Sequence, residues 1–161
     1  MRRLLFLSAC AFGLAAPAAA QEPEAALVRV DKAARRLVVE DASGRVLLSL
    51  GGIQLGDPVG PKRIQGDRRT PEGRYVIDYG NEGSAYWLSL HISYPSAADR
   101  AIAARLGRPA GGDIFIHGQP NSLHSGRIAG DWTDGCIAVS NAEIERLWAL
   151  VPDGTPILIA P

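Results

Sequence analysis

Two side chains in this sequence have the type and setting for nucleophilic chemistry. Cys136 closes the run Asp131-Trp132-Thr133-Asp134-Gly135-Cys136, and His117 ends the apolar run Ile114-Phe115-Ile116. A thiol attacks poorly until a neighbour takes its proton, and a histidine within hydrogen-bond reach is the usual supplier. Gly118 lets the chain turn sharply after the histidine. Gly135 would let a carbonyl approach the backbone, leaving the amides of Gly135 and Cys136 free to hold an oxyanion. The pattern reads as a Cys–His dyad built for acyl chemistry, against the competing reading of an inert buried thiol.

The other histidines carry less. His91 lies on an alternating run and reads as a packing or surface residue, whereas His124 sits in a Gly/Ser-containing loop after His117 and could line a cleft. Trp132 could stack on a substrate or simply pack. Zinc on His117, His124 and Cys136 is chemically admissible. Those ligands lack a compact spacing and no His-Glu-x-x-His helix accompanies them, so neither metal nor cofactor is expected.

These residues sit in a chain of 161 residues with 17 Lys+Arg against 17 Asp+Glu, 47% hydrophobic residues and two Cys. Scattered, balanced charge argues against a phosphate-tracking groove, so nucleic acid is not an expected partner. Residues 1–20 have a charged start at Arg2-Arg3, an apolar run from Leu4 to Ala16 and small residues at Ala18-Ala19-Ala20. That is the pattern of a cleaved secretory signal, too short to span a bilayer needing roughly 20 apolar residues. Leu7-Ser8-Ala9-Cys10 also has the form of a lipidation box, but only six apolar residues, Leu4 to Ala9, precede the cysteine. Cleavage after Ala20 is the preferred reading, giving an exported chain of residues 21–161 without a transmembrane segment. It would leave Cys136 as the lone cysteine and, with Arg2 and Arg3 gone, a formal charge of about −2.

The elements that must position the pair are mostly strands. Val28–Val30, Leu37–Val39 and Val46–Leu50 read as strands joined by turns at Asp31-Lys32 and Ser43-Gly44. Gly51 to Gly73 is rich in Gly and Pro and reads as a long ordered loop. Further strand signals lie at Arg74–Tyr79, Trp87–Ile92, Ile114–His117, Ile137–Val139 and Pro156–Ile159. One helix is expected after Ser96, with Ile102 and Leu106 four apart and Gly107 as a stop. A second follows the capping box Ser140-Asn141-Ala142-Glu143, with Ile144, Leu147, Trp148 and Val151 on one face. The expected architecture is mainly β, a β-rich α+β single domain with two short helices.

From Leu27 to Ile159 the chain resembles the YkuD-type L,D-transpeptidases that act on bacterial peptidoglycan. The resemblance rests on His117-Gly118, on Thr133-Asp134-Gly135-Cys136-Ile137 sixteen residues further on, on Asn141, and on the segment Gly66-Asp67-Arg68-Arg69-Thr70-Pro71-Glu72-Gly73-Arg74-Tyr75 upstream. It implies a β-sandwich or barrel and a periplasmic enzyme that cross-links or trims peptidoglycan stem peptides. Cys136 would be the acylated nucleophile, His117 its base, and the backbone of Asp134, Gly135 and Cys136 the oxyanion hole. Thr133, Asn141, Trp132 and His124 are carried as substrate-side residues. Two positions depart from the family pattern: Asp134 replaces the histidine before Gly-Cys, and Ala138 replaces an arginine two residues after the cysteine. Arg127 is the candidate to bind stem-peptide carboxylates instead, against the competing reading of a solvated surface arginine. The acceptor could be an amine of a second stem, a wall-attached protein, or water, the last making the enzyme an editing hydrolase. A non-catalytic peptidoglycan-binding module is the alternative of a different class.

Overall fold

The structure, a computed structural model, describes residues 24–161. The expected leader and Cys10 lie outside the described residues. The order is β1 (Leu27–Asp31), β2 (Arg36–Glu40), β3 (Val46–Gly51), β4 (Gly73–Asn81), β5 (Ser89–Ile92), α1 (Ala97–Arg105), β6 (Ile114–His117), β7 (Ile137–Ala138), α2 (Asn141–Leu150) and β8 (Thr155–Ala160). All eight strands join one sheet in the order β3-β2-β1-β8-β4-β5-β6-β7. Pairing is antiparallel except β1 with β8 and β6 with β7, which run parallel. The two ends of that order meet. Just past β3, Gln54 N donates to Ala138 O and Ala138 N to Gln54 O, each at 2.8 Å, so the sheet curls until its first edge touches β7.

Alternation sorts the side chains. Val28, Val30, Leu37, Val39, Leu48 and Leu50 point inward along β1–β3, and Leu90, Ile92, Ile114 and Ile116 do so along β5 and β6. Ile144 and Leu147 of α2 complete the same core. Full burial of such a side chain contributes about 1.5–3 kcal/mol. Because successive strand residues face opposite ways, burying Ile114 and Ile116 turns Phe115 and His117 to the other face. Both helices start on complete capping boxes, Ser96 with Asp99 and Ser140 with Glu143.

Two local readings change. Trp87 is not in a strand: its φ of +69° sits in the loop before β5, which begins at Ser89. The buried residue of α1 is Ala103, while Leu106 caps the helix end and is exposed. Lys32, in a turn where solvent exposure is the norm, is buried. Trp148 is half-buried, with its ring over Gly80, where an added Cβ would come within 2.5 Å of it.

Candidate active site

Residues Cys136 and His117 line one cleft of about 420 Å³, together with Trp132, Thr133 and Asp134 from the turn before Cys136. Parallel pairing of Ile116 with Ile137 and of His117 with Ala138 carries Cys136 alongside Phe115, one pleat from His117 on the same face. Ser89, paired opposite His117 on β5, also faces the cleft.

His117 is held by its own neighbour. Its Nδ1 lies 2.7 Å from Gly118 O. A carbonyl can only accept, so Nδ1 carries the hydrogen and the neutral ring presents Nε2 as a base. Burial pushes the imidazole below its ordinary value, against the raising influence of the Gly118 carbonyl. Burial likewise pushes the Cys136 thiol up, opposed by the Phe115 amide and reinforced by Asp113 and Asp134. Both shifts favour thiol and neutral imidazole over thiolate and imidazolium at rest.

The thiol's partners are not the ones the dyad pattern suggests. Sγ accepts from Phe115 N at 3.4 Å and donates to Asp113 O at 3.5 Å. The two groups thus share a cleft, with the sulfur parked on backbone rather than on the ring. Catalytic contacts of this kind often tighten only when substrate arrives.

Around the pair, glycine is required twice. An added Cβ at Gly118 would come within 2.7 Å of Asn141 Oδ1 and 3.0 Å of Tyr86 O. Gly135 has φ +122°, and a Cβ there would lie 2.6 Å from Arg69 O of the loop beneath. The expected oxyanion donors need one correction: Gly135 N donates to Thr133 Oγ1 at 3.3 Å, while that hydroxyl donates to Cys136 O at 2.7 Å. Thr133 therefore closes the turn, which accounts for its burial, and takes up one of the amides expected to be free.

Other expected site residues lie elsewhere. Arg127 stands outside the cleft lining, its guanidinium spent on Gly52 O at 2.7 Å, Gln54 Oε1 at 3.4 Å and Glu143 at 3.8 Å. His124 is exposed at the tip of a loop whose base is pinned by Gln54 Nε2 to Ile128 O and Gly130 O, and it too is outside the lining. Among the described residues no three His, Cys, Asp or Glu side chains converge as metal ligands would. Asn141 works behind the site, its Oδ1 accepting from Gln119 N at 2.8 Å. Trp132 lines the cleft with its ring centroid 5.7 Å from that of His117 at 65°, its indole N–H buried and unpartnered. The Asp134 carboxylate turns outward to Arg68 Nε at 3.0 Å, an exposed pair worth about 0–1 kcal/mol.

Sequence reasoning missed Tyr86, Asp113, Phe115 and Ser89. Phe115 was available from period two counted back from His117, and Ser89 required knowing the β5–β6 register. Tyr86 and Asp113 had no signal, since each sits on a loop placed by distant contacts.

Comparison with known proteins adds a family. The model of the YkuD L,D-transpeptidase catalytic domain matches residues 25–159. The putative L,D-transpeptidase YafK of Escherichia coli K12 is 30% identical over 95 residues, 58% of this chain and 32% of that protein. The helical cell shape determining protein Pgp2 of Campylobacter jejuni superposes with TM-score 0.69 at 29% identity, over 84% of this chain and 47% of that one. An L,D-transpeptidase of Xylanimonas cellulosilytica shares the fold at TM-score 0.56 and 20% identity, over 88% of this chain and 63% of that one. The chain thus spans about a third of the YafK protein and about half of Pgp2. No helix among the described residues is long and apolar enough to cross a membrane.

Proposed function

This chain belongs to the YkuD family of L,D-transpeptidase catalytic domains, and on that premise we propose that it is an exported, periplasmic cysteine acyltransferase acting on peptidoglycan stem peptides. The observation that carries the reading is the tautomer of His117: with Nδ1–H committed to Gly118 O, the basic Nε2 belongs to the ring that shares a cleft with Cys136. Substrate entering the cleft would displace Sγ from Asp113 O and bring it to Nε2. As Sγ bonds to the carbonyl carbon on the L-centre of diaminopimelate, its proton passes to Nε2. That proton then goes to the leaving amine as the C–N bond breaks, releasing D-alanine and leaving a thioester on Cys136. An acceptor amine of a second stem, or of a wall-attached protein, attacks the thioester, loses a proton to Nε2 and returns the thiol. The cycle draws on no cofactor.

Incubating the mature protein with purified muropeptides tests the reading. Cross-linked dimers with loss of D-alanine are the expected products, and trimmed monomers alone would move the assignment to hydrolysis. Intact mass after exposure to a carbapenem should show one adduct on the wild type and none on Cys136→Ala. An unmodified wild type that also leaves every muropeptide intact would sink the enzyme reading in favour of a binding module.

A further inference from the structure

Trp87 adopts a left-handed backbone, φ +69°, that bulky side chains seldom take. Such outliers persist where the surroundings over-determine them. Here Asn121 grips the loop at three points. Its Oδ1 accepts from Trp87 N at 2.7 Å, its Nδ2 donates to Ser84 O at 2.9 Å, and its backbone N donates to Ala85 O at 3.0 Å. The Trp87 indole N–H donates to Glu145 Oε1 on α2 at 2.8 Å, tying the same loop to a helix. What lies inside this grip is Tyr86, whose ring centroid is 4.6 Å from that of His117 at a 38° tilt, and 5.9 Å from that of Trp132. The loop also rests on the turn that carries the base: Gly118 N donates to Leu88 O at 3.2 Å, and only the bare Gly118 leaves room for Tyr86 O and the Trp87 Cβ.

We propose that Asn121 and Trp87 are positioning residues for the catalytic base, their clamp holding the Tyr86 ring against the His117 imidazole. Tyr86 then covers the imidazole while Trp132 meets it edge-on, fixing the ring plane in which Nδ1 meets Gly118 O and keeping bulk water off it. The proposal rests on the role given to His117 above. Lining the cleft with the imidazole are Tyr86 from this loop, Trp132, Asp134 and Cys136 from the turn before β7, and Asp113 from the segment before β6, the Asp134 carboxylate being turned outward to Arg68. The charged ones, Asp113 and Asp134, lie outside the clamp and stay in place when it is broken.

The test is an NMR titration of the His117 ring in wild type, Asn121→Ala, Glu145→Ala and Tyr86→Phe, run beside the rate of Cys136 acylation by a carbapenem. Asn121→Ala should let water reach the imidazole and raise its midpoint toward the ordinary value by about half a unit. It should also slow acylation about tenfold through lost orientation. Tyr86→Phe keeps the ring and should titrate like wild type. Glu145→Ala changes an exposed helix residue, should shift the midpoint the same way by less, and decides the matter if Asn121→Ala does not fold. Folded clamp variants that titrate and react like wild type overturn the proposal. The titration follows the ring whether or not any peptide is turned over. A wild type that resists acylation, with clamp midpoints still shifted, therefore overturns the acyl-transfer reading alone.

Discussion

At His117, one hydrogen bond and one environment decide the chemistry. In the proposed cycle the Gly118 carbonyl leaves Nε2 as the nitrogen that acts as base, and burial pushes the imidazole below its ordinary value. The imidazole must be neutral to accept the thiol proton, so acylation of Cys136 should rise with pH through a midpoint below 6.5 and then level off. A stopped-flow profile of carbapenem acylation centred above 6.5 would contradict this. The same burial predicts a stability slope. Below about 6.5 the unfolded chain takes a proton that folded His117 resists, so urea midpoints should fall with pH down to the folded value. Above about 9 the unfolded thiol ionises before the folded Cys136, so stability should decline there too. His117→Gln should flatten the slope just below 6.5 and Cys136→Ser the slope just above 9, while raised Tyr75 and Tyr94 keep the decline above 10. At this scale the sequence was informative where chemistry is local. Cys136, His117, Gly118 and Gly135 were legible because their types and neighbours state their needs. Arg127 was not, since its carbonyl partner Gly52 lies 75 residues away and only the fold brings the two together.

Among the elements, the loop from Gly52 to Glu72 is the least regular and underlies the turn that carries Cys136. Arg68 O and Thr133 O approach Gly56 so closely that a Cβ there would lie 2.0 and 2.6 Å from them, and Arg69 O underlies Gly135. Two buried ion sites give this loop its order. Asp67 accepts from the amides of Arg63, Ile64 and Arg69 and from Lys62 Nζ, and although burial works against its charge, these bonds hold its carboxyl below the usual range. Lys32, only 1% exposed, donates to Glu72 Oε1 at 2.7 Å, Gly60 O at 2.7 Å and Thr70 O at 3.3 Å, matching each of its three hydrogens. Lys32→Ala should therefore destabilise the fold by about 3–5 kcal/mol, because Glu72 is left charged and unpaired. Urea unfolding measures it, and a loss under about 1 kcal/mol would show that the loop is ordered without this clip. The strands and capped helices were readable from period and caps. Lys32 was not: a lysine beside a turn signal reads as solvated, and only a loop folding back over it makes three acceptors available.

For the molecule as a whole, the decisive feature is the meeting of the sheet's ends at Gln54 and Ala138, which turns a row of strands into a closed wall. Both halves then share one core, so far-UV circular dichroism and tryptophan fluorescence should report a single coincident urea transition, and the Gln54 and Ala138 amides should exchange only through global unfolding. Separate transitions would mean that the ends part on their own. The mainly β class was legible from eight strand signals. Strand order was not, because period and turn chemistry specify neighbours in sequence, whereas β1 with β8 and β4 with β8 are pairings across long separations. That position of β8 has a kinetic corollary. The β1–β3 meander and the β4–β7 group can each assemble from nearby segments, whereas Thr155–Ala160 must come between β1 and β4 from the far end of the chain to join them within the sheet. Pairings across such separations slow folding, so the central strand is expected to enter late, as the last piece to join two preassembled halves.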